Sequence, residues 1–300
     1  MKRAAMWSAV LGAALGAVPA MCSASFGQSN ATQNPPAGQA AQPAGQAQPA
    51  GQAAAPTGKR PPKVNSQEEF NAYKAAAALT DAAALEKAAD DFAAKYPDSE
   101  LRPLLYRTAM QRYQMANNAD KMMDMGKKIL AIDPDDPEAL VGTAQVLAER
   151  THDTDIDRDQ RLAEARKNAE RSLVTVDTDI PSSGYPPEQL ASYKGYLRSE
   201  AYAVLGKLSS DSKNWTQAET ELRKSIDAFP QQVDPIAALR LAVALDMQNK
   251  IPEALKYADQ AVDLTKDRPD SGAGKAARDE KDRLTKLNVG GAPAQTPPKN

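Results

Sequence analysis

The stretch Tyr202-Ala-Val-Leu-Gly-Lys-Leu-Ser209, followed by Trp215, by Ala218 and Leu222 four residues apart, and by Pro230, decides the fold. Tyr202, Leu205, Gly206 and Ser209 stand at i, i+3, i+4 and i+7, which is one face of a helix. Trp215 opens a second helix carrying Ala218 and Leu222, and Pro230 ends the unit. Gly206 adds no side chain to its face, so the two helices are predicted to approach most closely there.

Working outward, the same pattern returns upstream at a step of 34 residues. Ala72, Tyr106 and Leu140 form one column; Ala75, Ala109 and Thr143 a second; Ala76, Met110 and Ala144 a third; Leu79, Tyr113 and Leu147 a fourth. A second helix follows in each unit, in the first beginning near Asp81 and carrying Leu85, Ala88, Ala89 and Phe92. The unit around Tyr106 continues through Met122 and Gly126 to Pro134, and the last unit offers Ala238, Leu241, Ala242 and Leu245, then Ala254 and Ala258. Small residues in both helices (Ala76, Ala144, Gly206 and Ala242, facing Ala88, Ala165, Ala218 and Ala254) allow a short interhelical distance. Met110 and Met122 break both small-residue columns in one unit, where flexible thioether chains can fill each other's gaps. Gly126 lies inside a predicted helix, where alanine is favoured if the site has room.

This set of residues resembles the tetratricopeptide repeat, a 34-residue helix–turn–helix unit. The phrase Phe92-Ala-Ala-Lys-Tyr-Pro-Asp-Ser99 is similar to that of bacterial envelope proteins of the family. The resemblance implies an all-α, right-handed α-solenoid of about five repeats with a C-terminal capping helix. Units are expected near 69–102, 103–136, 137–179, 199–232 and 235–268 within a repeat domain spanning 66–288. The third unit is nine residues too long between its helices, which places an insertion around Thr151 to Gln160 with a helix beginning near Arg161. Pro181, Gly184, Pro186 and Pro187 mark a break before a long helix from Pro187 to about Lys207. Ser66 and Glu69 make a capping box for the first helix, and an amphipathic helix over Lys275 to Leu287 closes the open end.

Both flanks read differently. Lys2 and Arg3 precede an uncharged apolar run from Ala4 to Val18, and small residues then offer cleavage points, so residues 1–25 read as a signal peptide, with an uncleaved anchor as the competing reading. Cys22 invites a lipoprotein reading, which Pro19, Ala20 and Met21 fit poorly. Residues 26–65 repeat Pro-Ala-Gly-Gln at Pro36, Pro43 and Pro49; with little to bury, they are expected to be a disordered linker, and residues 289–300 a disordered tail. The expected location is exported, periplasmic or secreted in association with the envelope, with no membrane span in the mature chain.

Composition narrows the chemistry. The 37 basic and 39 acidic residues alternate and leave a net charge of −2, without the basic stripe that nucleic acid requires. The one histidine, His152, falls in the insertion and the one cysteine, Cys22, in the expected signal segment, so neither a Ser–His nor a Cys–His pair is expected; no phosphate or dinucleotide loop is present, and no catalytic residue, metal or cofactor is expected. Asp153, Asp155, Asp157, Asp159 and Glu164 have calcium-loop spacing, but Arg158 stands where the loop turns on glycine; a calcium-binding repeat protein is the weaker alternative. The resemblance implies instead that a protein or peptide partner binds the concave face, which by matched position includes Tyr73, Arg107, Gln111, Gln114, Gln145, Lys207 and Arg240. A structural envelope tether acting through the linker is the other reading.

Overall fold

A computed structural model describes residues 58–181 and 185–290. The expected signal segment, the linker up to residue 57 and the tail beyond residue 290 lie outside the described residues. Among the described residues there are eleven α-helices and no strand.

Local chemistry sets most helix starts. In α1 (Gln67–Ala77) the Ser66 hydroxyl accepts the Glu69 N–H at 3.0 Å while the Glu69 carboxylate accepts the N–H groups of Asn65 and Ser66, which satisfies donors that a helix start leaves open. Asp81 caps α2 (Ala82–Lys95), and α3 (Arg102–Met115) places Pro103 in its first turn. Asn118 caps α4 (Ala119–Ile132), and Asp136 caps α5 (Pro137–Arg150). α6 (Arg158–Thr175) begins at Arg158, not near Arg161, so the insertion is the short loop 151–157. α7 (Pro187–Asp211) runs 25 residues, longer than expected. Asn214 caps α8 (Trp215–Ala228) and Asp234 caps α9 (Pro235–Asp246). α10 (Ile251–Thr265) and α11 (Gly272–Gly290) complete the chain, the last running two residues into the expected tail.

The helices pack as hairpins, α1 on α2 through α9 on α10, each hairpin on the next. First helices also pack across units, α1 on α3, α5 on α7 and α7 on α9, with α11 on α9 at the end. No second helix makes a comparable contact with the next second helix. The outer row is instead linked by ion pairs: Lys121–Glu86 at 3.0 Å, Lys128–Asp90 at 2.7 Å and Arg223–Glu253 at 2.5 Å. Packing inside and charge pairs outside make the first helices the inner face of a curved stack.

Glycines mark the tight contacts. A Cβ on Gly206 would come within 2.5 Å of Leu222 Cγ, as expected of the closest approach between α7 and α8. Gly126 corrects the sequence reading, because a Cβ there would lie 2.5 Å from Thr143 Cγ2 on α5; the site has no room for alanine. Met110 and Met122 do act as a pair, both closing on Gly142 of the next unit, with Met122 Cε 3.2 Å and Met110 Sδ 3.4 Å from where its Cβ would be. In the first unit Ala89 rather than Ala88 is fully buried.

Three inter-helix turns share one geometry. Asn117, Lys213 and Asn249 take positive φ of 56°, 58° and 60° just after α3, α7 and α9. The next N–H reaches back to the carbonyl of Tyr113, Ser209 or Leu245, the Schellman closure of a helix end. None of the three is glycine, so the turn was not visible in the sequence.

Candidate functional site

The seven residues expected on the inner face fall into three groups. Arg107 and Gln111 of α3 reach across to α5, where the Arg107 guanidinium pairs with Asp136 and lies 3.4 Å from Glu138, and Gln111 Nε2 donates to Glu138 at 2.6 Å. The other Glu138 oxygen accepts the hydroxyl of Tyr193 on α7, and both Glu138 and Tyr193 are buried. Asp136 also accepts the Ala139 N–H with its second oxygen, so one side chain caps α5 and anchors Arg107. Tyr73 of α1 packs beside Phe70 and edge-on to Phe92, with ring centroids 6.4 and 6.5 Å away.

Burial sets the electrostatics of this cluster. It raises the Glu138 carboxyl above its ordinary value, against the pull of Arg107, Tyr193 and Gln111. The Tyr193 hydroxyl rises well above its usual range through burial and then through Glu138. Arg107 gains affinity for its proton; burial opposes this, but Asp136, Tyr193 and Glu138 outweigh it. Tyr73 and Tyr185 are both raised by burial and both drawn back by Arg107. Tyr193 of α7, with Tyr185 two residues ahead of that helix, therefore closes over Arg107, whose Nε is buried 3.4 Å from Glu138 without a hydrogen bond.

Gln114 and Gln145 stand apart from that cluster, Gln114 exposed and Gln145 half-buried. Together with Asn117 and Asn118 of the α3–α4 turn and with Glu149 and Arg150 at the end of α5, they line a groove of about 340 Å³ floored by Ala119, Met122 and Val146. Arg240 of α9 reaches Glu149 at 2.8 Å, past the intervening α7, and so braces one wall of this groove. Lys207 is held by Asp211 on its own helix at 2.7 Å. Glu138, Tyr193, Asn117 and Asn118 were missed in the sequence. Tyr193 lies in the α7 turns that precede the repeat pattern, and the asparagines owe their place to the positive-φ turn.

The insertion is organised by its arginine. Arg158 donates to Asp153 at 3.1 Å and to Asp159 at 3.0 Å, and Arg161 lies 3.6 Å from Asp155. The Asp155 carboxylate also accepts the His152 N–H. Among the described residues no group of three or more His, Cys, Asp or Glu is placed to hold a metal ion. Also among the described residues, no helix is long and apolar enough to cross a membrane.

Paired helices stacked in register, first helices inward, with alanine or glycine at the contacts, fix the class. The chain is a tetratricopeptide-like α-solenoid. No family model matches the sequence, and no curated protein does. Among solved structures, this solenoid is similar to a thermophilic TPR protein of Thermus thermophilus, at 12% identity and a TM-score of 0.43, over 74% of this chain and 99% of the other. It is also similar to residues 1–338 of an assembly chaperone of RpL4, at 12% identity and a TM-score of 0.38, over 76% of this chain and 99% of the other.

Proposed function

We propose that the protein is a non-catalytic scaffold that holds a segment of a partner protein on its inner face. The observation that carries this reading is the groove between α3 and α5, where Gln114, Asn117 and Gln145 present side-chain amides beside an apolar floor, with the NH₂ of Asn118, whose oxygen caps α4, next to them. An amide both donates and accepts, so a row of them can pair with the backbone of an extended segment of almost any sequence. The mixed charge at one end, Glu149 with Arg240 and Arg150, adds polarity without favouring a single charged ligand. Of the seven residues singled out from the sequence, Gln114 and Gln145 are assigned to contact, Arg240 to bracing the wall, Arg107 and Gln111 to holding α3, α5 and α7 together, and Tyr73 to packing α1 on α2. Lys207 receives no role.

The location that goes with this reading is outside the cytoplasm, supported by the charged start and apolar run at residues 2–18. The test is affinity capture with the full chain, comparing wild type, Gln114→Ala/Gln145→Ala and Lys207→Ala. A partner held by wild type and by Lys207→Ala, and lost with the double variant at unchanged helix content, supports the scaffold. A partner retained by all three, or lost only when residues 26–57 are deleted, transfers the function to the linker.

A further inference from the structure

The segment just ahead of α1 is expected to be the end of a featureless linker, but it is tied across one edge of the solenoid. Residues 58–65 form neither helix nor strand. The Lys59 ammonium lies 2.6 Å from Asp133 and 3.2 Å from Asp179, and the Arg60 guanidinium forks onto Glu100 at 2.5 and 2.7 Å. The Lys63 N–H donates to the same Glu100 carboxylate at 2.8 Å. Glu100, Asp133 and Asp179 belong to the α2–α3, α4–α5 and α6–α7 turns, so three successive units each contribute one carboxylate to the same edge. Among the described residues, Lys59 is the one cation paired with Asp133 or Asp179. Under the segment lies a groove of about 320 Å³ whose apolar lining comes from Pro103, Leu104, Ile132 and Pro181, with Pro62 against it.

We propose that this edge is a docking groove for a basic, proline-interrupted segment of a partner protein, and that Lys59–Lys63 occupies it in cis as an exchangeable stand-in. The seated residues define the chemistry of the occupant. Two adjacent cations, met by carboxylates from three separate turns and followed by Pro61 and Pro62, give an extended strip with few backbone donors to satisfy. The cis contact is built to exchange, because Lys59 and Arg60 keep 41% and 65% of their side-chain surface in solvent, and exposed ion pairs hold weakly. Covalent attachment substitutes for affinity: a short tether presents its own segment at an effective concentration of about millimolar. A partner segment of the same chemistry that binds in the micromolar range displaces it and frees the linker at the same time. This site is separate from the amide groove, lying at the opposite ends of the first helices, and does not depend on the scaffold reading of that groove.

The test uses a labelled peptide of sequence TGKRPPKVN, residues 57–65, titrated into the full chain by fluorescence anisotropy. Wild type should bind it weakly, because its groove is filled. Lys59→Ala/Arg60→Ala should bind it at least about 10-fold more tightly, the scale on which removal of a tethered competitor acts. Adding Asp133→Asn/Asp179→Asn to the open variant should abolish that gain, as should raising the salt to about 0.5 M. Gln114→Ala/Gln145→Ala should leave peptide binding unchanged, which separates this site from the inner face. Equal binding by wild type and the open variant, or binding that survives loss of the aspartates at unchanged helix content, overturns the proposal. Sedimentation of wild type as a dimer that the open variant does not form would also overturn it, by making the trans occupant a second copy.

Discussion

Arg107 stands between two carboxylates, and its neighbours show what that position costs. Arg107→Ala leaves Asp136 and the buried Glu138 without a cation, a change of about 3–5 kcal/mol on the general scale for stranding one half of a buried pair. Glu138→Gln keeps an acceptor for Gln111 and turns its NH₂ toward the Tyr193 hydroxyl, which can accept, and it removes a charge whose burial already works against it, so its effect should be smaller. Urea midpoints of the two variants check the order. The pH dependence follows from the sign: a carboxyl whose folded value is raised favours the folded state more as it takes up a proton. Without Arg107 the Glu138 value rises further, so the deficit of Arg107→Ala should shrink between pH 8 and pH 5, and a deficit constant over that range would remove Glu138 from the account. Lys213 holds a positive φ that glycine adopts freely, so Lys213→Gly should stabilise by about 0.5–1 kcal/mol. Gly126→Ala should destabilise despite its helical setting, and Gly206→Leu should destabilise more, since Leu222 cannot retreat from the α7–α8 contact. Thermal melts of the three variants give the order directly. The Gly206 contact was readable because its partner, Leu222, lies in the same unit, whereas Gly126 meets Thr143 of the next one, and a single repeat carries no record of how it abuts its neighbour.

Helix positions followed from spacing and caps, and the 34-residue step placed the hairpins because each repeat must bury one stripe against a fixed partner. Elements that depart from the repeat were legible only in part. The break before α7 was plain from its prolines, but the use of the extra turns, which bury Tyr193 and Leu197 against Val141, Val176 and Ile180, depends on contacts the repeat does not encode. For the same reason the inner-face list mixed two kinds of position: Arg107 and Gln111 are taken up by Asp136 and Glu138, while Gln114 and Gln145 line the amide groove. The segment ahead of α1 shows a further limit, since its composition gave no reason to expect order and its attachment comes from carboxylates on three distant turns and an apolar groove beneath Pro62. Glu100 is held at about 2, below its ordinary 4.5, by the Arg60 hydrogen bond and then the Lys63 N–H. A depressed folded value means that this attachment is complete above about pH 4.5 and is lost as the pH falls toward 2. Glu100→Gln should accordingly raise hydrogen exchange at the Lys63 amide at neutral pH by more than about 10-fold, with little change in α1. Unchanged exchange would show that Lys59 alone secures the segment.

Across the whole molecule, stability is shared between neighbours. α11 closes the stack by placing Leu284 against Leu241, Leu245 and Ala258, and Ala277 against Ala238 and Ala261. Leu284→Ala should cost about 2–5 kcal/mol, and because helix packing runs between adjacent hairpins the damage should stay local. Hydrogen exchange should quicken in α9–α11 and remain slow in α3 and α4; uniform quickening would mean that the array melts as one unit.

The length of α7 makes the array uneven. At about 1.5 Å per residue its 25 residues span about 37 Å, with α5 and α6 packed along one side from Tyr193 to Leu208 and α8 along another from Gly195 to Gly206. Arg240 and Glu149 add a strut between α9 and α5 that passes over it. Under a load applied to the two ends of the chain, the hairpins α1–α2 and α3–α4 have only their nearest neighbours and the exposed Lys59 ion pairs to resist with and should unravel at low force. The block from α5 to α9 is cross-bolted and should give way last, in a single large step, so the amide groove at its boundary would be the place where an extensible half of the molecule meets a stiff one.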